Sequence, residues 1–109
     1  MNEIGFGNML LRVQNGATLL DENCPNWWER IDLEFLDMVH YHTCILGQLF
    51  EHFDRGVKFF KLTNSQEAEF GFRMGRWFGE YSDLDECWRV EVRKRLAANR
   101  RDSIELCLL

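Results

Sequence analysis

Proline occurs once in this chain, at Pro25, and no stretch is rich in glycine, serine or proline. A flexible or polyproline linker is therefore excluded, and 109 residues leave room for one self-sufficient core only, so residues 1–109 are expected to form a single domain. No apolar run reaches the roughly 18–20 residues that a membrane span needs. The first residues, Met1 to Phe6, lack a basic segment followed by an apolar one, so no signal peptide is expected. The four cysteines, Cys24, Cys44, Cys87 and Cys107, contain no C-x-x-C pair and fit neither a zinc ribbon nor a small secreted disulfide framework. Two disulfides remain open by count, but reduced, buried thiols in a cytoplasmic protein are the expectation. Basic excess is missing too: the net charge is −5. Absent as well are a phosphate-binding G-x-x-x-x-G-K-[ST] loop, an H-E-x-x-H and a G-x-S-x-G, so no complete catalytic constellation or cofactor site is expected.

What the chain has in quantity is aromatic side chains, with four Trp and nine Phe. Each large ring buries roughly 150–250 Å², so few elements are needed to close a core. The strongest periodicity is Leu46, Leu49, Phe50, Phe53, Val57 and Phe60, which share one face of a helix. This predicts a central helix over Thr43–Phe60 with Thr43 as its cap and Gly56 as a break or a close helix approach. Thr63 and Gln66 have the spacing of a capping box for a short helix through Glu69. Ser82-Asp83-Leu84-Asp85 starts a last helix whose stripe is Leu84, Trp88, Val92 and Leu96, packed on the central helix, with Asp85/Arg89 and Glu91/Arg95 as i,i+4 pairs. Leu10 to Leu20 read as one helix or two turns interrupted at Asn15-Gly16, and Pro25 opens a short helix. Apolar/polar alternation makes 31–38 the best strand candidate, and three glycines among aromatics make 71–81 an irregular loop or hairpin. The fold expected is mainly α, with α+β as the alternative. Ile104, Leu106, Leu108 and Leu109 are expected to pack on the rest of the chain.

Charge is segregated. Residues 1–40 hold seven acids against Arg12 and Arg30, whereas the other two thirds balance. Such a patch repels phosphate backbones and suits a protein partner with a basic surface; its bland explanation is a solvated face that maintains solubility. Candidate partner-binding residues are Glu29, Asp32, Glu34 and Asp37, with Trp27 or Trp28 as an exposed anchor. The alternative is a nucleic-acid or nucleotide binder. It would use Arg73, Arg76 and Trp77 in the segment 72–81 together with the basic cluster 93–101, including Arg93, Lys94 and Arg95. The acidic balance of the chain argues against that alternative. On an extended segment His40, His42 and Cys44 would point the same way and could meet one metal ion, but a fourth ligand is not specified by any spacing, and no metal site is assigned. Cys44 beside histidines is also the loosest form of a nucleophile setting.

Several short patterns carry a resemblance: Gly16 to Asp21, Pro25-x-Trp27, Arg30-Ile31-Asp32-Leu33, Leu36-Asp37, Cys44-x-Leu46-Gly47-Gln48, then Gly71-Phe72 and Trp88. In these the chain resembles a family of small proteins of actinobacteria and their bacteriophages. The first dozen residues and the tail after Arg101 lie outside it. The resemblance implies an accessory or phage-encoded protein that works by binding a host protein, as inhibitors of bacterial defence such as anti-CRISPR proteins do.

Overall fold

Met9, Val13, Ala17 and Leu20 recur at helical spacing and are all buried. They form the inner face of α1 (Asn2–Asn23). The computed structural model describes the backbone of residues 2–74 and 80–108, and the side chains of 8–74 and 80–99. After α1 come a 3-10 turn (Trp27–Arg30), α2 (Ile45–Phe50), α3 (Phe53–Phe60), α4 (Asn64–Glu69) and α5 (Tyr81–Leu108). The protein is mainly helical, and the described residues include no strand.

The first helix runs unbroken through Asn15-Gly16. Gly16 is there for contact: a Cβ on it would stand 2.0 Å from the Phe70 carbonyl oxygen and 3.0 Å from the Trp88 ring. The predicted Thr43–Phe60 helix is two helices. Glu51 takes a left-handed backbone (φ 73°) at the end of α2, and the extended His52 begins α3 by accepting the Asp54 N–H on its ring. Cys44, not Thr43, caps α2, its sulfur accepting the Gly47 N–H. Gly56 marks the close helix approach: a Cβ would sit 2.8 Å from Leu46 Cβ. Pro25 leads into the 3-10 turn, not an α-helix, because Asn26 is left-handed at φ 60°. The Thr63/Gln66 capping box forms in full and α4 ends at Glu69.

The expected strand at 31–38 is a series of turns. Its alternation would place Ile31, Leu33 and Phe35 on one inner face, yet Phe35 is 66% exposed while Leu36 and Met38 are buried. Residues 71–74 form turns and bends, with Gly71 left-handed at φ 71° against Val13; the rest of the 71–81 expectation, at 75–79, and the packing of Ile104, Leu106, Leu108 and Leu109 lie outside the described residues.

The principal packing partner of α5 is α1, and not the central helix pair, which packs on itself as α2 against α3. Of the expected stripe, Leu84, Trp88 and Val92 are fully turned inward together with Cys87, and Leu96 is half-buried against the core. Trp88 stacks on Phe72 at 5.5 Å, forms a T-shaped pair with Trp27 at 6.0 Å and donates its indole N–H to the Gly71 carbonyl at 2.7 Å. Offset and edge-on ring pairs of this kind are favoured by the ring quadrupole, and the buried N–H is satisfied. Cys24, Cys44 and Cys87 are free and buried.

Candidate functional site

Residues 31–44 connect the 3-10 turn to α2 without regular structure. A stretch of that length inside a small domain is held either by function or by specific bonds, and here the bonds are visible. The Asp32 N–H donates to Gln48 Oε1 at 2.6 Å, while Gln48 Nε2 donates to the Asp32 and Thr43 carbonyls at 3.2 and 2.9 Å. Asp85 Oδ1, on α5, accepts the Met38 N–H at 2.7 Å, and Arg89 Nη2 donates to the Leu36 carbonyl at 3.0 Å. The Asp85 carboxyl is pushed up by burial, opposed by the bond from Met38. Asp85 and Arg89 therefore act on the loop backbone, beyond the i,i+4 attraction the sequence suggests. Within the loop, Asp32 and Asp37 each accept the N–H two residues on, from Glu34 and Val39 at 3.0 Å. Thr43 Oγ1 closes the base of the loop on the Asp37 carbonyl. Ile31, Leu36 and Met38 anchor it in the core.

The loop's backbone is thus fixed and its charges point outward. Glu29, Asp32 and Glu34 are exposed, with Phe35 beside them, Trp28 and Leu33 half-buried, and Arg30 the single cation between Trp28 and Asp37. Residues 29–34 line an open groove of about 530 Å³. Glu29 is held loosely by Asn99 at 3.3 Å. Asp37 is half-buried and turned toward Val39 and His40. Trp27 is not an anchor: it is 0% exposed. Its indole N–H reaches Asp21 Oδ1 at 2.8 Å, with the Arg95 guanidinium 5.5 Å over the ring. An indole with its N–H satisfied and both faces packed gains more from the core than from solvent. Phe35 takes the exposed aromatic position. The sequence signal for it existed, since Leu36 breaks the alternation, but a strand reading hides it.

The basic residues considered for nucleic acid are brought into contact with acids. Arg95 grips Asp21 with two bonds of 2.9 and 2.7 Å and reaches Glu91 at 3.1 Å. Arg93 lies 3.6 Å from Glu86, Lys94 3.7 Å from Glu91, and Arg73 3.3 Å from Glu67. Fold-neutralised cations of this kind leave little counterion to release on a phosphate backbone. Arg76 and Trp77 lie outside the described residues.

The residues 40–44 form a turn, so alternation does not align His40, His42 and Cys44. His42 Nδ1 donates to the Glu51 carbonyl at 2.7 Å, His40 Nε2 lies 3.5 Å from Asp37, and Cys44 sulfur is occupied in capping α2. Among the described residues no group of three His, Cys, Asp or Glu side chains is placed to hold a metal ion. Burial pushes the Cys44 thiol up, away from the thiolate a nucleophile requires. Among the described residues no helix is long and apolar enough to cross a membrane. No protein-family model, curated protein or solved structure matches the chain.

Proposed function

We propose that this protein is a binding module, not an enzyme, and that it presents the clamped acidic segment 28–37 to a basic surface of a protein partner. The observation that carries the reading is the double clamp. Gln48 from α2 and Asp85 with Arg89 from α5 hold the loop backbone. Glu29, Asp32, Glu34 and Phe35 remain in solvent. Ordering a loop before binding removes an entropic cost from association. Acids around an exposed aromatic residue combine steering with an anchor. A solvated face that serves only solubility needs no such fixed backbone.

The resemblance to small proteins of actinobacteria and their bacteriophages takes the proposal further, to a phage-encoded, anti-CRISPR-like inhibitor of a host defence or nucleic-acid-handling protein. Such targets hold nucleic acid on basic surfaces, and a preorganised acidic loop matches those surfaces in charge. Affinity capture from an actinobacterial lysate, followed by mass spectrometry, provides the partner. Replacing Glu29 and Glu34 by Lys and Asp32 by Asn, which keeps the Oδ1 that accepts the Glu34 N–H, is expected to weaken its binding about tenfold or more, with helical circular dichroism unchanged. Asp37 is left in place because it shapes the loop. Equal binding by the triple variant would discard the proposal.

A further inference from the structure

Beyond Met38 the same loop forms one wall of a separate cleft of about 350 Å³ between the loop, α3, α4 and the start of α5. That volume lies in the range of small-ligand sites, about 300–1,000 Å³. Tyr41, Phe53, Asp54, Glu67, Arg73 and Tyr81 line it. Tyr41 is 61% exposed, yet its ring is held in place, stacked on His52 at 5.3 Å and tilted against Phe53 at 6.0 Å.

The charge balance of this cleft has a definite sign. Arg73 is already engaged: its Nε lies 3.3 Å from Glu67 Oε1 and its Nη2 donates to the Asn64 carbonyl at 2.7 Å. Glu67 is 8% exposed, and its second oxygen receives no hydrogen bond from the described residues. Asp54, its side chain 72% exposed, lies 3.8 Å from His52 Nδ1, which accepts the Asp54 N–H at 3.0 Å. Asp54 forms no ion pair with a lysine or arginine among the described residues. The cleft sets two carboxylates against one guanidinium already engaged by Glu67, with His40, itself 3.5 Å from the Asp37 carboxylate, and the rings of Tyr41, Phe53 and Tyr81 beside them. Excess negative charge beside aromatic rings is the chemistry that recognises an organic cation.

We infer that the Tyr41/Asp54/Glu67/Tyr81 cleft is a receptor site for an alkylammonium or guanidinium group, filled by a lysine or arginine side chain of the basic partner. As a docking site it rests on the binding function proposed above, but its affinity for cations is a property of this chain alone. The test is an NMR titration of the full-length protein with n-butylammonium and propylguanidinium at constant ionic strength. n-Butanol and acetate serve as neutral and anionic controls. Saturable shifts centred on Tyr41, Asp54, Glu67 and Tyr81 are expected with the cations only. Asp54→Asn is expected to weaken binding roughly threefold, as for an exposed charge pair. Tyr41→Leu, which keeps bulk in place, is expected to do the same by removing the cation–π contact. The Glu29/Asp32/Glu34 triple variant, with Asn at position 32, should bind the probes as the unaltered chain does. Loss of partner capture in that triple variant without cation binding in the cleft would leave the loop function standing and reject the cleft. Shifts that fail to saturate, that butanol or acetate reproduces, or that both substitutions leave unchanged overturn the inference.

Discussion

Asp21 accepts the Trp27 indole N–H and the Arg95 guanidinium on one carboxylate, tying α1 to the 3-10 turn and to α5. The bond from Arg95 is the main reason its carboxyl lies below the usual value of 3.8, with burial opposing and Trp27 assisting. A carboxyl depressed in the folded state stabilises the fold above the unfolded pKa, and that contribution is lost as pH falls through the lower folded value. The pair is partly exposed, 38% at Asp21 and 20% at Arg95, so solvent screening limits its strength. Asp21→Asn is therefore expected to cost only about 1 kcal/mol at neutral pH. The gap between the two proteins should close below about pH 4. Urea unfolding at a series of pH values measures both. At this scale the sequence displayed the acid, the indole and the guanidinium, but not their meeting. Asp21 and Arg95 are 74 residues apart, and no local pattern links them.

At the scale of elements, Gly16 sets helix propensity against packing. In an isolated helix Ala would be favoured over Gly by about 1 kcal/mol. In this fold the added Cβ meets the Phe70 carbonyl at 2.0 Å, a backbone atom that cannot move aside without shifting the segment after α4. Gly16→Ala is expected to destabilise the protein by roughly 1–3 kcal/mol, read as a lower urea midpoint; a rise would show that the segment moves freely. The same contrast explains which elements the sequence revealed. The α4 capping box and the α5 stripe depend on residues three and four apart, and both appear where the spacing puts them. The break between α2 and α3 was hidden because Leu46, Leu49, Phe50, Phe53 and Val57 keep helical spacing across it. His52 and the left-handed Glu51 reverse the chain there so that Gly56 can close on Leu46.

At the scale of the whole molecule, the core isolates its thiols. Burial is the leading cause that raises Cys24, Cys44 and Cys87 above the ordinary thiol value. Their alkylation at about pH 8 is expected to be at least tenfold slower in the native protein than in concentrated urea. Peptide mapping after a brief iodoacetamide pulse resolves each site, and rapid native labelling of any of the three would contradict the packing. The fold also redistributes charge. The sequence places an acidic excess in the first forty residues, but Asp21 is taken up by Arg95 on α5 and Asp37 is turned into the loop. Among the described residues the outward acidity of this third is thereby left at Glu22 on α1 and at Glu29, Asp32 and Glu34 in and beside the loop.

The amino-acid sequence by itself determined the helical character, the Thr63 cap, the inward face of the last helix and the acidity of the N-terminal third. Each is a local or summed property, set by neighbours within one helical turn or by composition. Only the tertiary structure decided that Trp27 is core and Phe35 is surface, that α5 lies along α1, and that segment 31–38 is a clamped loop. Burial depends on which distant groups arrive to satisfy an N–H or cover a ring, and periodicity gives a face without naming what packs on it.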